Sequence, residues 1–186
     1  MDAAFELYCL VGIRRTSMED VAKRANMGRA SVYRKFEGSD KLVSALLQRE
    51  TRRAIAKVEA AVQGVDDVEE RFIIGFVTGI RAVRKHPLLL TLIAMEPERA
   101  LPMLTTRAGG GLAFARAFLA RETRRAQKTL GLPTHNAEHI AEILARLTHS
   151  LVLTPETGLP LDDDKKIRDF ARRHIVPMVT GKVSPR

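Results

Sequence analysis

Thr16-Ser17-Met18-Glu19-Asp20-Val21-Ala22-Lys23-Arg24-Ala25-Asn26-Met27-Gly28-Arg29-Ala30-Ser31-Val32-Tyr33-Arg34-Lys35-Phe36 is the stretch that decides the fold. Thr16 through Glu19 fits a capping box, in which the Thr16 hydroxyl accepts from the Glu19 N–H and Glu19 reaches back. Met18, Val21, Ala22 and Ala25 then recur at helical spacing. Asn26-Met27-Gly28 breaks the helix, and asparagine tolerates the left-handed backbone of a tight turn. A second, shorter helix follows over 29–36, with Val32 and Phe36 four apart on its inner face. Helix, tight turn, helix is the arrangement whose second helix enters the DNA major groove.

The outer face of that second helix has the matching chemistry. At 100° per residue, Ala30, Ser31 and Arg34 fall opposite Val32 and Phe36, and Tyr33 lies at the rim. Ala30 permits close approach, Arg34 suits guanine O6 and N7, and Ser31 suits a phosphate or base edge. The Tyr33 hydroxyl is placed to meet a phosphate. Charge concentrates here as well. Of the formal net charge of +9, the 22 residues from Arg14 to Lys35 hold +5, with Arg14, Arg15, Lys23, Arg24, Arg29, Arg34 and Lys35 against Glu19 and Asp20. A charge run alone is more often a solvated face; here pattern and charge coincide, and the expected partner is duplex DNA.

Outward from this segment the periodicity is helical almost throughout, with no sustained two-residue alternation, so the expected fold class is all-α. Phe5, Tyr8, Cys9 and Gly12 mark a first helix that stops at Gly12. Glu37-Gly38-Ser39-Asp40 leads into a long helix over 40–62, and further helices are expected over 68–85, 88–95, 97–104, 107–130 and 134–153. A last one begins at Asp162-Asp163-Asp164, where the macrodipole favours negative charge. The expected division is a helix-turn-helix head at 1–47 and an effector-binding and dimerisation domain at 48–186, with the helix over 40–62 as the covalent lever between them.

Composition narrows the classes. Aromatic residues make up 5% of the 186 and tryptophan is absent, which disfavours a stacking platform for single strands. The longest run free of Asp, Glu, Lys and Arg is His86–Met95, ten residues, against about 20 for a membrane span. Asp2 and Glu6 are out of place in a secretory leader, and the lone Cys9 cannot close a disulfide within the chain. A cytoplasmic protein without membrane partner or cofactor is expected. No nucleophilic triad, phosphate loop or dinucleotide fingerprint occurs, so enzymatic activity is not expected.

The sequence resembles the tetracycline-repressor (TetR) family of regulators. The residues that carry the resemblance are Gly12 through Ala22, Ala25 through Phe36, and Asp40-Lys41-Leu42. Asn26 and Gly28 stand where that family commonly has Gly and Ser. Ser39 replaces a phosphate-contacting lysine, a role that Ser39 with Lys41 is expected to take over. Relatives of this pattern usually carry further, often basic, residues ahead of the first helix, whereas this chain opens almost inside it. The resemblance implies a DNA-binding homodimer, a small-molecule effector, and dimerisation through the last two long helices. The DNA-binding set is then Thr16, Ser17, Arg29, Ala30, Ser31, Tyr33, Arg34, Lys35, Ser39 and Lys41. The function expected is a ligand-released repressor on a pseudo-palindromic operator.

Elsewhere the readings are broader. Phe72, Phe76, Met95, Met103 and Phe118 are candidates to line the effector cavity, against the plainer reading that they fill a core. Ile140, Ile143, Leu144, Leu147 and Leu151, with Ile167, Phe170 and Ile175, recur at three- and four-residue spacing and suit a four-helix dimer interface. Gly75 and Gly79 permit close helix packing or leave space for a ligand. His135, Glu138 and His139 fit the H-x-x-E-H pattern of a zinc hydrolase, which stands as the alternative function, although a single five-residue match has a high chance rate. A helical interaction protein with an inert head is the third class.

Overall fold

A computed structural model describes residues 1–134, 136–154 and 156–181, and every described regular element is helical. α1 (Asp2–Val11), α2 (Met18–Arg24) and α3 (Arg29–Phe36) precede the long α4 (Ser39–Ala61). α5 (Val68–Arg84), α6 (Pro87–Met95), α7 (Pro97–Leu104), α8 (Gly109–Thr129) and α9 (Ala137–Leu153) follow. α10 (Asp164–Phe170) runs through a π-helical turn, Ala171–Ile175, into α11 (Val176–Thr180). The wide turn has a local cause. Pro177 has no N–H to give the carbonyl four residues back and its ring crowds that carbonyl; here Val176 N–H instead reaches Ala171 O, five residues back. Among the described residues, no helix is long and apolar enough to cross a membrane.

The chain divides into two compact units, Met1–Thr51 with Lys85–Gly111, and Arg52–Arg84 with Leu112–Arg186. In the first, Tyr8, Ile13, Val32, Leu42, Val43 and Leu46 close a core with Leu88, Leu92 and Ala100 from α6 and α7. The sequence reading places α6 and α7 with the effector domain, but their apolar faces complete the core under α1 and α4. Burial pushes the Tyr8 phenol pKa up and raises that of the half-buried Cys9 thiol likewise.

The second unit has two apolar clusters, and these hold most of the residues expected at the dimer surface. Ile140, Leu144 and Ile175 are buried in one cluster with Phe72, Phe76, Leu147 and Phe170 packed on it. Leu151 and Ile167 are buried in the other. Five of the eight are thus buried in the subunit's own core, Leu147 and Phe170 are partly buried against it, and Ile143, at 53% exposure, is the exposed one. A single apolar stripe on a helix serves the intramolecular core first, and spacing alone cannot tell the two uses apart. Gly75 and Gly79 serve close packing: a Cβ at either would meet Val58 of α4 or Val62 just past its end at 3.6–3.8 Å.

Candidate nucleic-acid interface

α2 is started by Ser17 and Asp20. The Ser17 hydroxyl accepts from Asp20 N–H at 3.0 Å while the Asp20 carboxylate accepts from the Ser17 N–H at 2.8 Å and its hydroxyl at 2.6 Å. Those two donors hold the Asp20 pKa below the ordinary carboxylate range. The capping box is therefore one residue later than the expected Thr16–Glu19 pair. Thr16 is buried instead, donating its hydroxyl to Gly12 O at 2.7 Å, so its side chain is turned away from the outer face expected to meet DNA.

The turn has the predicted conformation. Asn26 takes φ 51°, and Met27 N–H returns to Ala22 O at 2.9 Å. Gly28 caps α3 in ordinary extended backbone, φ −66° and ψ 139°. Val32 is then buried at 2% exposure, Phe36 packs partly buried against the same core, and Ala30, Tyr33, Arg34 and Lys35 are exposed. Ser31 is half-buried. The helix ends on Glu37, left-handed at φ 51°, whose N–H bonds Tyr33 O.

Electrostatics sort the cations of this surface. Arg29 Nη1 lies 3.4 Å from Glu19 Oε2 and its guanidinium 5.4 Å from the Tyr33 ring centre. Arg24 is paired with Glu6 at 2.6 Å. Among the described residues Arg34, Lys35 and Lys41 have no carboxylate partner, which leaves them available to an external anion. Ser39 is engaged within the fold, its Oγ accepting from Arg99 Nη2 at 3.2 Å, while Arg99 also binds Asp40 at 2.6 Å.

Two residues of this neighbourhood escaped the sequence reading, Glu96 and Arg99. Glu96 joins α6 to α7, is 4% exposed, and accepts the Arg14 N–H at 2.9 Å across 82 residues of sequence. A contact so distant leaves no local pattern; a carboxylate between two apolar helices was the available signal.

The remaining expected site residues divide between the two units. Met95 (46% exposed) and Met103 belong to the first unit, whereas Phe72, Phe76 and Phe118 belong to the second. The second unit does have a groove between α8 and α9, lined by Ala113, Arg116, Ala117, Arg124, His139 and Glu142 among others; none of the five expected residues is in it. Arg116 and Arg146 donate to Glu142 and hold its pKa down. His135 lies outside the described residues, and Glu138 is paired with Arg124. Among the described residues no three His, Cys, Asp or Glu gather to hold a metal.

Comparison with known proteins agrees with the geometry. Residues 1–46 match the family model described as bacterial regulatory proteins, tetR family. An uncharacterized HTH-type transcriptional regulator of Mycobacterium tuberculosis is 29% identical, over 97% of this chain and 83% of its own length. The TetR family repressor AlkX from Dietzia sp. superposes with a TM-score of 0.75 at 20% identity, covering 96% of this chain and 91% of that one. The Rhodococcus erythropolis repressor QsdR gives 0.64 at 19%, covering 100% and 94%.

Proposed function

We propose that the chain is, by its helix-turn-helix head, a transcriptional regulator of the TetR family, a repressor that binds a pseudo-palindromic operator as a homodimer and is released by a small ligand. The observation that carries the reading is α3, with Val32 buried and Ala30, Arg34 and Lys35 exposed on its other side. In this reading Arg34 makes the bidentate base contact and Ala30 allows the close approach. Ser17, Arg29, Ser31, Tyr33, Lys35 and Lys41 position the head on phosphates. Residues 1–47 form the functional DNA-binding domain, 48–186 hold effector and dimer contacts, and the protein works in the cytoplasm.

One short helix reads too few bases alone, so two heads are needed. The copies meet along the exposed side of α8 and α9, where Ala113, Ala117 and Ile143 stand between charged neighbours. The test is selection of bound duplexes from a random library, with sedimentation of the free protein. A palindromic consensus bound by a dimer supports the proposal; recovery of no consensus, or a monomer at micromolar concentration, refutes it.

A further inference from the structure

The α6–α7 joint holds both chain segments that bracket the helix-turn-helix. Glu96 caps both helices, closing α6 and opening α7: its N–H bonds Leu92 O at 3.0 Å, and its carbonyl accepts from Arg99 and Ala100 at 3.1 and 2.9 Å. Its side chain leaves that joint and caps the Arg14 N–H, in the segment leading into α2. Three residues on, Arg99 binds Ser39 and Asp40 at the start of α4, just past α3. Thr91 adds a bond of 3.3 Å to Cys9 O near the end of α1.

Gly12 is shaped to this contact. It is buried with φ +82°, and a Cβ there would stand 2.4 Å from Glu96 Oε1. A side chain at position 12 would therefore push the Glu96 carboxylate from the place where it accepts the Arg14 N–H. Burying a carboxylate is costly unless its hydrogen bonds repay it, yet the second oxygen, Oε2, makes no hydrogen bond. A buried charge so incompletely satisfied is a poor stabiliser, and an apolar side chain of similar size often serves stability as well or better.

We propose that Glu96 is a positioning residue for DNA binding: with Arg99 it fixes the segments on either side of α2 and α3 to the α6–α7 joint, so that the joint sets the presentation of α3. This rests on the DNA-binding reading above and deepens it. α4 continues the head covalently into the rest of the chain; within the first unit Glu96 adds a non-covalent tie between the α6–α7 joint and the head, through the backbone of Arg14. A displacement of the joint reaches the start of α2 directly.

The test uses the full-length protein, the consensus duplex from the selection, and a random duplex of equal length. Glu96→Leu removes the acceptor and the buried charge together; its melting temperature holds or rises while affinity for the consensus falls about tenfold, which is about 1.4 kcal/mol. Random-duplex affinity, which rests on phosphate contacts, stays as it was. Glu96→Gln keeps an acceptor for the Arg14 N–H and retains near-full affinity. Arg99→Met breaks the half-buried guanidinium's bonds to Asp40 and Ser39 while its apolar stem is kept, so the protein stays folded, and it weakens consensus binding severalfold, which keeps the test decisive even if Glu96→Leu fails to fold. Full consensus affinity in Arg99→Met, or in a folded Glu96→Leu, overturns the proposal, as does a loss in Glu96→Gln equal to that in Glu96→Leu. Failure of the unaltered protein to select any consensus would instead strike the DNA-binding reading itself.

Discussion

The Arg29 guanidinium lies over the Tyr33 ring, 5.4 Å from its centre, with its Nη1 3.4 Å from Glu19 Oε2. Arg29 and Tyr33 are four apart on α3, so one helical turn brings them together. An exposed cation–π contact of this kind is worth about 0.5–1 kcal/mol, enough to restrict a flexible guanidinium before any ligand arrives. The hydroxyl of Tyr33 stays free at the rim of the helix, beside a cation, where a phosphate would be met.

Tyr33→Phe keeps the ring, and with it the seat of Arg29, and removes only the hydroxyl. Binding weakens by about 1 kcal/mol, equally on consensus and random duplexes, in a titration at fixed salt. A loss confined to the consensus would make Tyr33 a reader of bases.

Arg34→Ala acts differently, because Arg34 is exposed on the outer face without a carboxylate partner. Loss of a bidentate base contact costs about 1–3 kcal/mol and relaxes preference at one position of each half-site. Repeating the library selection with the variant reads this out. An unchanged consensus with uniformly weaker binding would assign Arg34 to a phosphate.

The head was legible in the sequence because its determinants are local. Asn26 at the turn, Val32 inward and Arg34 outward are fixed by residues within one or two helical turns, and all three are found as read. The capping box slipped by one residue because Thr16 and Ser17 both suit the role, and only the tertiary bond from Thr16 to Gly12 O decides between them. The second unit was less legible for the same reason. Leu144 and Ile143 are adjacent and equally apolar, yet one is 4% and the other 53% exposed; helical spacing names a stripe, not what covers it. Glu96 shows the limit, since its partner lies 82 residues away.

The capping box implies a pH dependence at the start of α2. The Asp20 carboxyl has a folded pKa below its ordinary 3.8, so its stabilising contribution is fully present above that ordinary value. It is lost as pH falls through the lower, folded value. In NMR titration the Ser17 amide therefore shifts in acid together with the Asp20 carboxyl. Ser17→Ala removes the hydroxyl donor and moves the Asp20 midpoint up toward 3.8; an unmoved midpoint would mean that the box does not persist in solution.

A sharper test of the second unit is the ion pair between Arg71 of α5 and Glu122 of α8. Glu122 Oε2 accepts from Arg71 Nε at 3.2 Å and Nη2 at 2.9 Å, a two-pronged arrangement that fixes geometry as well as charge. Both side chains are largely buried, at 16% and 14% exposure, and Arg71 Nη1 also donates to Val62 O at the end of α4. Breaking such a pair from one side strands the other charge, at a cost of about 3–5 kcal/mol. Arg71→Met is the more damaging of the two, because it leaves Glu122 only the longer, 3.5 Å contact with Arg121 and takes from the Val62 carbonyl one of its two donors, the other being the Val65 N–H. Glu122→Leu leaves Arg71 its bond to Val62. The double variant, Arg71→Met with Glu122→Leu, buries no lone charge and recovers much of the loss, so that its cost is well below the sum of the single ones. Urea unfolding of the four proteins measures this. Simple additivity would show that the two residues do not interact in solution, and that α5 and α8 are held together by their apolar contacts alone.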